Sequence, residues 1–149
     1  MNKMEIRKLT IDDYNEIYDF WISTSGMGLN DIDDSKVGID KYLKRNPNTC
    51  FVAIISNKIV GAILSGHDGR RGYIYHTAVS VACRNRGIGN ALLNSALAAL
   101  YDEGISKVAL VVFKNNKIGN MFWEHTGFNT REDLNYRNKA LVELERIDT

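Results

Sequence analysis

Tyr14, Ile17, Tyr18 and Trp21 recur at i, i+3, i+4 and i+7, so the spacing predicts an amphipathic helix. Thr10 suits its N-cap, and Asp12 and Asp13 fall in the first turn, where the helix dipole favours carboxylates. Before it, Glu5 to Leu9 reads as a first strand. A second short helix carries Ile39, Tyr42 and Leu43 on one side and stops at Asn46-Pro47-Asn48. Between the helices, Ser23 to Asp34 reads as a loop, with Gly26, Gly28 and a group of Asn and Asp residues. Phe51 to Ile55 and Ile59 to Leu64 are β-branched runs joined through Ser56-Asn57-Lys58, a hairpin pattern. After the turn at Asp68 to Gly72, Tyr73 to Val81 reads as another strand.

The period then changes. Ile88, Leu92, Ala96 and Leu100 fall on one helical face, with Leu93 and Leu97 beside them and Gly104 as the stop. Val108 to Phe113 is an unbroken apolar run, the pattern of a strand covered on both faces. Ile118, Met121, Phe122 and His125 predict a last helix ended by Gly127, followed by strands at Phe128 to Arg131 and Ala140 to Ile147. The expected order is β-α-α-β-β-β-α-β-α-β-β, an α/β (α+β) mixed sheet. The central strand-helix-strand implies a right-handed parallel crossover, and the hairpins imply antiparallel pairing elsewhere.

The 149 residues suit one domain, 1-149, with no repeat or linker. A net charge of +1 offers no general attraction to nucleic acid or to an anionic membrane. No apolar run reaches a membrane span, and no secretory leader is visible, so a cytoplasmic location is expected. Cys50 and Cys83 match no zinc or redox spacing and read as two buried thiols. The scattered His67, His76 and His125 suggest no metal site.

The chemistry concentrates at Arg84-Asn85-Arg86-Gly87-Ile88-Gly89, where a strand runs into a glycine-bearing loop and a helix. The first N–H groups of a helix lack internal partners and carry partial positive charge, so they can hold an anion. Gly87 and Gly89 remove side chains that would keep a phosphate from the backbone, and Arg84 and Arg86 add charge. A Walker A loop would need Gly-Lys-Ser/Thr, which is absent, and a dinucleotide fingerprint would need Gly where Leu92 stands. The pattern that fits is [Arg/Gln]-x-x-Gly-x-Gly/Ala. A second landmark follows at Asn116, Gly119 and Phe122-Trp123-Glu124-His125-Thr126-Gly127-Phe128.

With these two motifs, over essentially its whole length, the chain resembles the GNAT superfamily of N-acetyltransferases. It is similar to the small bacterial type that includes ribosomal-protein-alanine acetyltransferases. The resemblance implies acetyl-CoA as cosubstrate and a pair of splayed central strands. The pantetheine arm would pair with backbone of Val79 and Val81. The N–H groups of Arg86, Gly87, Ile88, Gly89 and Asn90 would hold the diphosphate. Asn116 would contact the arm or tether the splayed strand, and Trp123 would pack on the cofactor side. It also implies acetyl transfer to a primary amine, of a small molecule or a peptide, by direct attack in a ternary complex. A homodimer is compatible with the family. The alternative is a non-catalytic module that holds acyl-CoA and acts through a protein partner.

The catalytic groups depart from the family pattern. Many relatives carry a carboxylate four or six positions before the residue matched by Val79, where this chain has Tyr75 and Tyr73. Some carry Glu where it has Val111, and most carry a tyrosine acid where it has Trp123, whose indole cannot serve as an acid near neutrality. Tyr75, Tyr136 or water could replace that acid. His76 is the nearest group suited to proton transfer at neutral pH. Strand alternation, however, sends it to the face opposite Tyr75 unless a bulge intervenes, so a packed strand histidine is the competing reading. Asp31, Asp33 and Asp34 could attract a cationic amine or could be solvated loop and cap residues. Trp21 and Tyr18 could line the acceptor side or pack in the core. Asp68, Arg70 and Arg71 read as turn residues and His125 as a helix-end residue.

Overall fold

A computed structural model describes residues 3–147. A five-stranded sheet runs in the order β1-β3-β4-β5-β6, formed by Met4–Lys8, Phe51–Ile55, Lys58–His67, Gly72–Val79 and Val108–Leu110. All neighbours are antiparallel except β5 and β6, which run parallel around the crossover helix α3, Ile88–Asp102. Helices α1 (Tyr14–Ile22) and α2 (Lys36–Arg45) precede β3, and α4 (Lys117–His125) follows β6. Two short strands, β2 (Leu29–Asn30) and β7 (Arg146–Ile147), pair with each other outside the main sheet. This is the mixed α/β arrangement expected from the periodicity.

The sheet separates two cores. On one face Val52, Ala62 and Leu64 meet Ile17 and Trp21 of α1 and Ile39 and Leu43 of α2. On the other, Ala53, Ile63 and Ile74 meet Ile88, Leu92, Leu93 and Ala96 of α3 and Trp123 of α4. Trp21, Ile17, Leu92 and Leu100 have no exposed surface. Truncating such a residue to alanine costs about 2–5 kcal/mol, so α3 is a rigid support for the loop at its N-terminus. Burial pushes the Cys50 thiol up to about 12, which leaves it unreactive, while Cys83 is only half-buried.

Four expectations are corrected. β5 ends at Val79, and Val81 opens a 3₁₀ turn instead of extending the strand. The apolar run Val108 to Phe113 is strand only as far as Leu110 and is covered on one face: Val108, Leu110 and Val112 pack under α3, whereas Val111 and Phe113 are exposed. β6 lies at the sheet edge, where the α1–α2 layer contributes nothing to cover its other face. No strand forms at Phe128 to Arg131, and the final strand is confined to Arg146–Ile147. The apolar residues that suggested a longer one, Leu141, Val142 and Leu144, lie on the surface without a partner strand to pair with.

Entry into α1 is held by Asp13, which accepts two bonds from the Arg7 guanidinium, both 2.8 Å, and one from Thr10 N–H at 3.0 Å. The Arg7 bonds are the main reason its carboxyl titrates below the ordinary 3.8. A depressed folded-state value adds stability that is full above the unfolded value and is lost as pH falls through the lowered one. Asp13→Asn should therefore cost about 1 kcal/mol at neutral pH. Urea titrations should show the gap between variant and parent closing as the solution is acidified below the ordinary carboxyl range.

Candidate active site

β5 and β6 pair only at Gly72, Tyr73 and Ile74. Beyond Ile74 the two strands part, and Tyr75 to Val79 keep β4 on one side only. The ladder phase gives the direction of the free groups. Ser80 N–H donates to Val60 O at 2.7 Å, so the pair Gly61↔Val79 is a non-hydrogen-bonded one. Val79 therefore turns its N–H and C=O away from β4, toward the gap that β6 has left. Its carbonyl accepts from Arg84 Nε at 3.2 Å.

The strands part beside an irregularity in β5. Ile63 pairs with Thr77 and Ser65 with Ile74, so β5 advances three residues while β4 advances two. Tyr75 and His76 thus face the single residue Leu64, a β-bulge. The extra residue cancels the alternation that would have sent His76 to the α3 face. Tyr75 and His76 line one cavity of about 450 Å³ together with Leu64, Tyr42, Asp33 and Asp34.

Within that wall, His76 Nε2 lies 2.7 Å from Asp34 Oδ1, and both side chains are largely buried, 13% and 4% exposed. An ionised carboxylate only accepts, so Nε2 carries a proton, which in the neutral ring leaves the lone pair on Nδ1. Asp34 is held in turn: its Oδ2 accepts from Asn30 N–H at 2.9 Å and its carbonyl from the Tyr14 hydroxyl at 2.7 Å. Asn30 Oδ1 accepts from the N–H groups of Ile32 and Asp33, which folds the loop beneath the carboxylate. Asp34 is therefore no solvated loop residue, and the α2 cap is Ser35, whose hydroxyl accepts from Gly38 N–H. Trp21 belongs to the core and meets the His76 ring edge-on, centroids 5.0 Å apart. Asp31 sits apart from the cavity, exchanging hydrogen bonds with Glu145 at 2.9 and 2.7 Å.

Tyr75 packs at a tilt against Tyr73 and meets Tyr42 edge-on, with ring centroids 4.7 and 5.7 Å apart. Burial, then the nearby Tyr136, pushes the Tyr73 phenol up to about 12, and burial, Tyr136 and Asp33 raise that of Tyr75. Both phenols hold their protons at neutral pH and can donate them in hydrogen bonds.

At the loop, Asn85 and Gly87 adopt positive φ of 64° and 77°, so successive backbone N–H groups turn inward before α3 begins. No side chain caps α3, whereas Ser35 caps α2 and Asn116 caps α4. Ala91 N–H to Gly87 O, at 3.0 Å, is the first helical bond, and among the described residues nothing accepts from the N–H groups of Arg86 to Asn90. A Cβ on Gly87 would meet nothing within 4 Å, so the approach to these amides is open. Gly89 serves another purpose. A Cβ there would stand 3.1 Å from the Phe122 ring, so this glycine lets α4 pack against α3.

The second motif is redistributed. Asn116 caps α4, accepting from Gly119 N–H at 2.9 Å. The tether of the departing strand is Asn120, whose Nδ2 donates to Phe113 O at 3.0 Å and Asn116 O at 2.8 Å. Its spacing of one turn from Asn116 was the available signal. Trp123 is 9% exposed, wedged between Phe122 and Phe128 in the α3-side core, which leaves its ring little surface for a cofactor. Val81, 75% exposed, uses its carbonyl for Arg84 N–H at 3.4 Å. His125 sits at the exposed end of α4. Among the described residues no group of His, Cys, Asp and Glu could hold a metal ion, and no helix is long and apolar enough to cross a membrane.

The model of the Acetyltransferase (GNAT) family matches residues 11–128. An acetyltransferase of Photorhabdus laumondii is 31% identical over 95% of this chain and 99% of its own, and one of Sodalis glossinidius is 30% identical over 94% and 97%. The PaiA N-acetyltransferase of Thermoplasma acidophilum, solved in complex with coenzyme A, superposes with a TM-score of 0.76. It is 19% identical and covers 87% of this chain and 92% of its own.

The two loop glycines should respond differently to alanine. Gly87→Ala meets no atom and should lose only about 1 kcal/mol from left-handed backbone strain. Gly89→Ala must displace the Phe122 ring, so it should also shift the near-ultraviolet circular dichroism of the Phe122–Trp123–Phe128 cluster. Gly87→Ala should leave that spectrum unchanged.

Proposed function

The chain belongs to the GNAT acetyltransferase family and is an acetyl-CoA-dependent N-acetyltransferase, and from that premise we propose that it acetylates the primary amine of a small molecule seated beside Tyr75 and His76. The observation that carries this reading is the bulge: it turns an imidazole, oriented by Asp34, and a protonated phenol into one cavity beside the strand gap. Family membership sets aside a domain that merely holds acyl-CoA.

Acetyl-CoA, when bound, supplies an acetyl group on a thioester. The residues present fit it: the open amides of Arg86 to Asn90 and the clear space at Gly87 suit a diphosphate, and the gap-facing N–H of Val79 suits a carbonyl of an extended arm. Val79 N–H faces the gap, where it would stabilise negative charge developing on the thioester oxygen. Overall, a C–N bond forms and the C–S bond breaks. One proton leaves the amine and one reaches the departing sulfur.

An alkylamine with a pKa of about 10.4 is almost wholly protonated at neutral pH, so a base is required. His76 takes that role through Nδ1, and Asp34 then faces the imidazolium it creates. Tyr75, its phenol kept neutral mainly by burial, would donate toward the leaving sulfur. In this reading Trp123 takes no part, and a phenol on β5 stands in for the missing family tyrosine.

Gly87→Glu should abolish coenzyme A binding in calorimetry, because a carboxylate would enter the amide concavity. Retained affinity would remove the diphosphate from this loop. His76→Ala should lower kcat roughly 10²-fold while coenzyme A affinity stays near the parent value. It should also flatten the rise of rate with pH on the acid side, and an unaltered pH profile would exclude His76 as the base.

A further inference from the structure

The cavity divides its charges. Its acidic groups come from the loop before α2 and lie toward β5: Asp34 engaged with His76, and Asp33, with one oxygen taken by Asn30 Nδ2. Its far wall is α2, where Lys41 and Arg45 stand one turn apart with Tyr42 between them. Both cations are exposed, and among the described residues neither makes an ion pair or a side-chain hydrogen bond. Lys44, on the same helix, is satisfied by Asp40 at 2.8 Å. The helix dipole favours Lys44 and Arg45, which lie in the last turn, but not Lys41. Nor is the pair part of a generally basic surface, since the whole chain carries +1. Like charges at i and i+4 repel, and an anion shared between them removes that cost. Between the charged ends the wall is apolar, built by Ile39, Leu64 and the Tyr42 ring.

We propose that the acceptor is a small zwitterion, an amine whose distal end carries a carboxylate or phosphate held by Lys41 and Arg45 while the amine reaches Asp33 and His76. The assignment rests on the reading of this cavity as the acceptor site. Its volume of about 450 Å³ suits a metabolite-sized ligand with an alkyl spacer.

The test uses the full chain with acetyl-CoA and three matched series: ω-amino carboxylates, aminoalkyl phosphates and unbranched alkylamines of the same lengths. One of the anionic series should show kcat/KM about tenfold or more above the alkylamines, the difference lying in KM, and whichever does so identifies the anion. The double substitution Lys41→Gln, Arg45→Gln should bring the favoured amine down to the alkylamine level. Lys44→Gln, which touches only the Asp40 pair, should preserve the preference. Equal use of charged and uncharged amines by the parent, or a preference that survives the double substitution, would overturn the proposal. Calorimetry of the same ligands on coenzyme A-loaded protein reads the preference without turnover. An anion preference there that the double substitution removes supports the zwitterion site even if no amine is acetylated, and equal binding overturns it. Failure of acetyl transfer and failure of anion recognition are thereby separate results.

Discussion

One surplus residue in β5 governs the geometry of the site. With strict alternation, Tyr75 and His76 would point to opposite faces, the histidine buried under α3 and far from Asp34. Two residues set against Leu64 put both on the α1–α2 face and bend the strand where β6 departs. The cavity wall, the imidazole–carboxylate pair and the mouth of the strand gap all follow from that single insertion. The bulge is fixed by the cores on either side of it. Ile74 is locked among α3 residues, and Ala78 is buried beside Ala62, so the slack between them can only be taken up at Tyr75 and His76.

The parts legible in the sequence are those with a local signature. The α3 stripe repeats over four turns, and Gly87 announces a left-handed turn that other residues resist. The loop and the family followed from these. The parts that were not legible depend on distant partners. Nothing in Tyr75-His76 marks an insertion, because a bulge exists only relative to the strand opposite. Asp34 lies in a loop crowded with Asp and Asn and reads as solvated; only the fold brings it to His76, 42 residues away. Leu141, Val142 and Leu144 have strand-like apolarity but no free ladder to join, so composition misled there. The absent Cβ of Gly89 and the Oδ1 of Asn116 also serve the docking and capping of α4, roles that depend on the neighbouring helix and leave no mark in the motif.

The loop that floors the cavity is tied down from two directions. Asn30 folds it from within, and the Glu145–Asp31 exchange together with the β2–β7 pair clamps it to residues far along the chain. Gly28, at φ 70°, brings its backbone against the Phe113 ring, which Arg146 also covers at 5.6 Å. The departing end of β6 and the cavity loop are thereby joined, so the width of the gap and the shape of the cavity are set by the same contacts.

The presence of two separate cores bears on how such a protein changes over generations. The open amides before α3 rest on the α3–α4 packing and the cavity-lining side chains on the α1–α2 packing, with only the strands in common. Substitutions that share no neighbours have nearly independent energetic effects. Lineages can therefore exchange residues along α2 and reshape the cavity while the loop before α3 is inherited intact. The strand insertion at Tyr75 and His76 is where that freedom stops, because a deletion there would rotate both layers' residues at once.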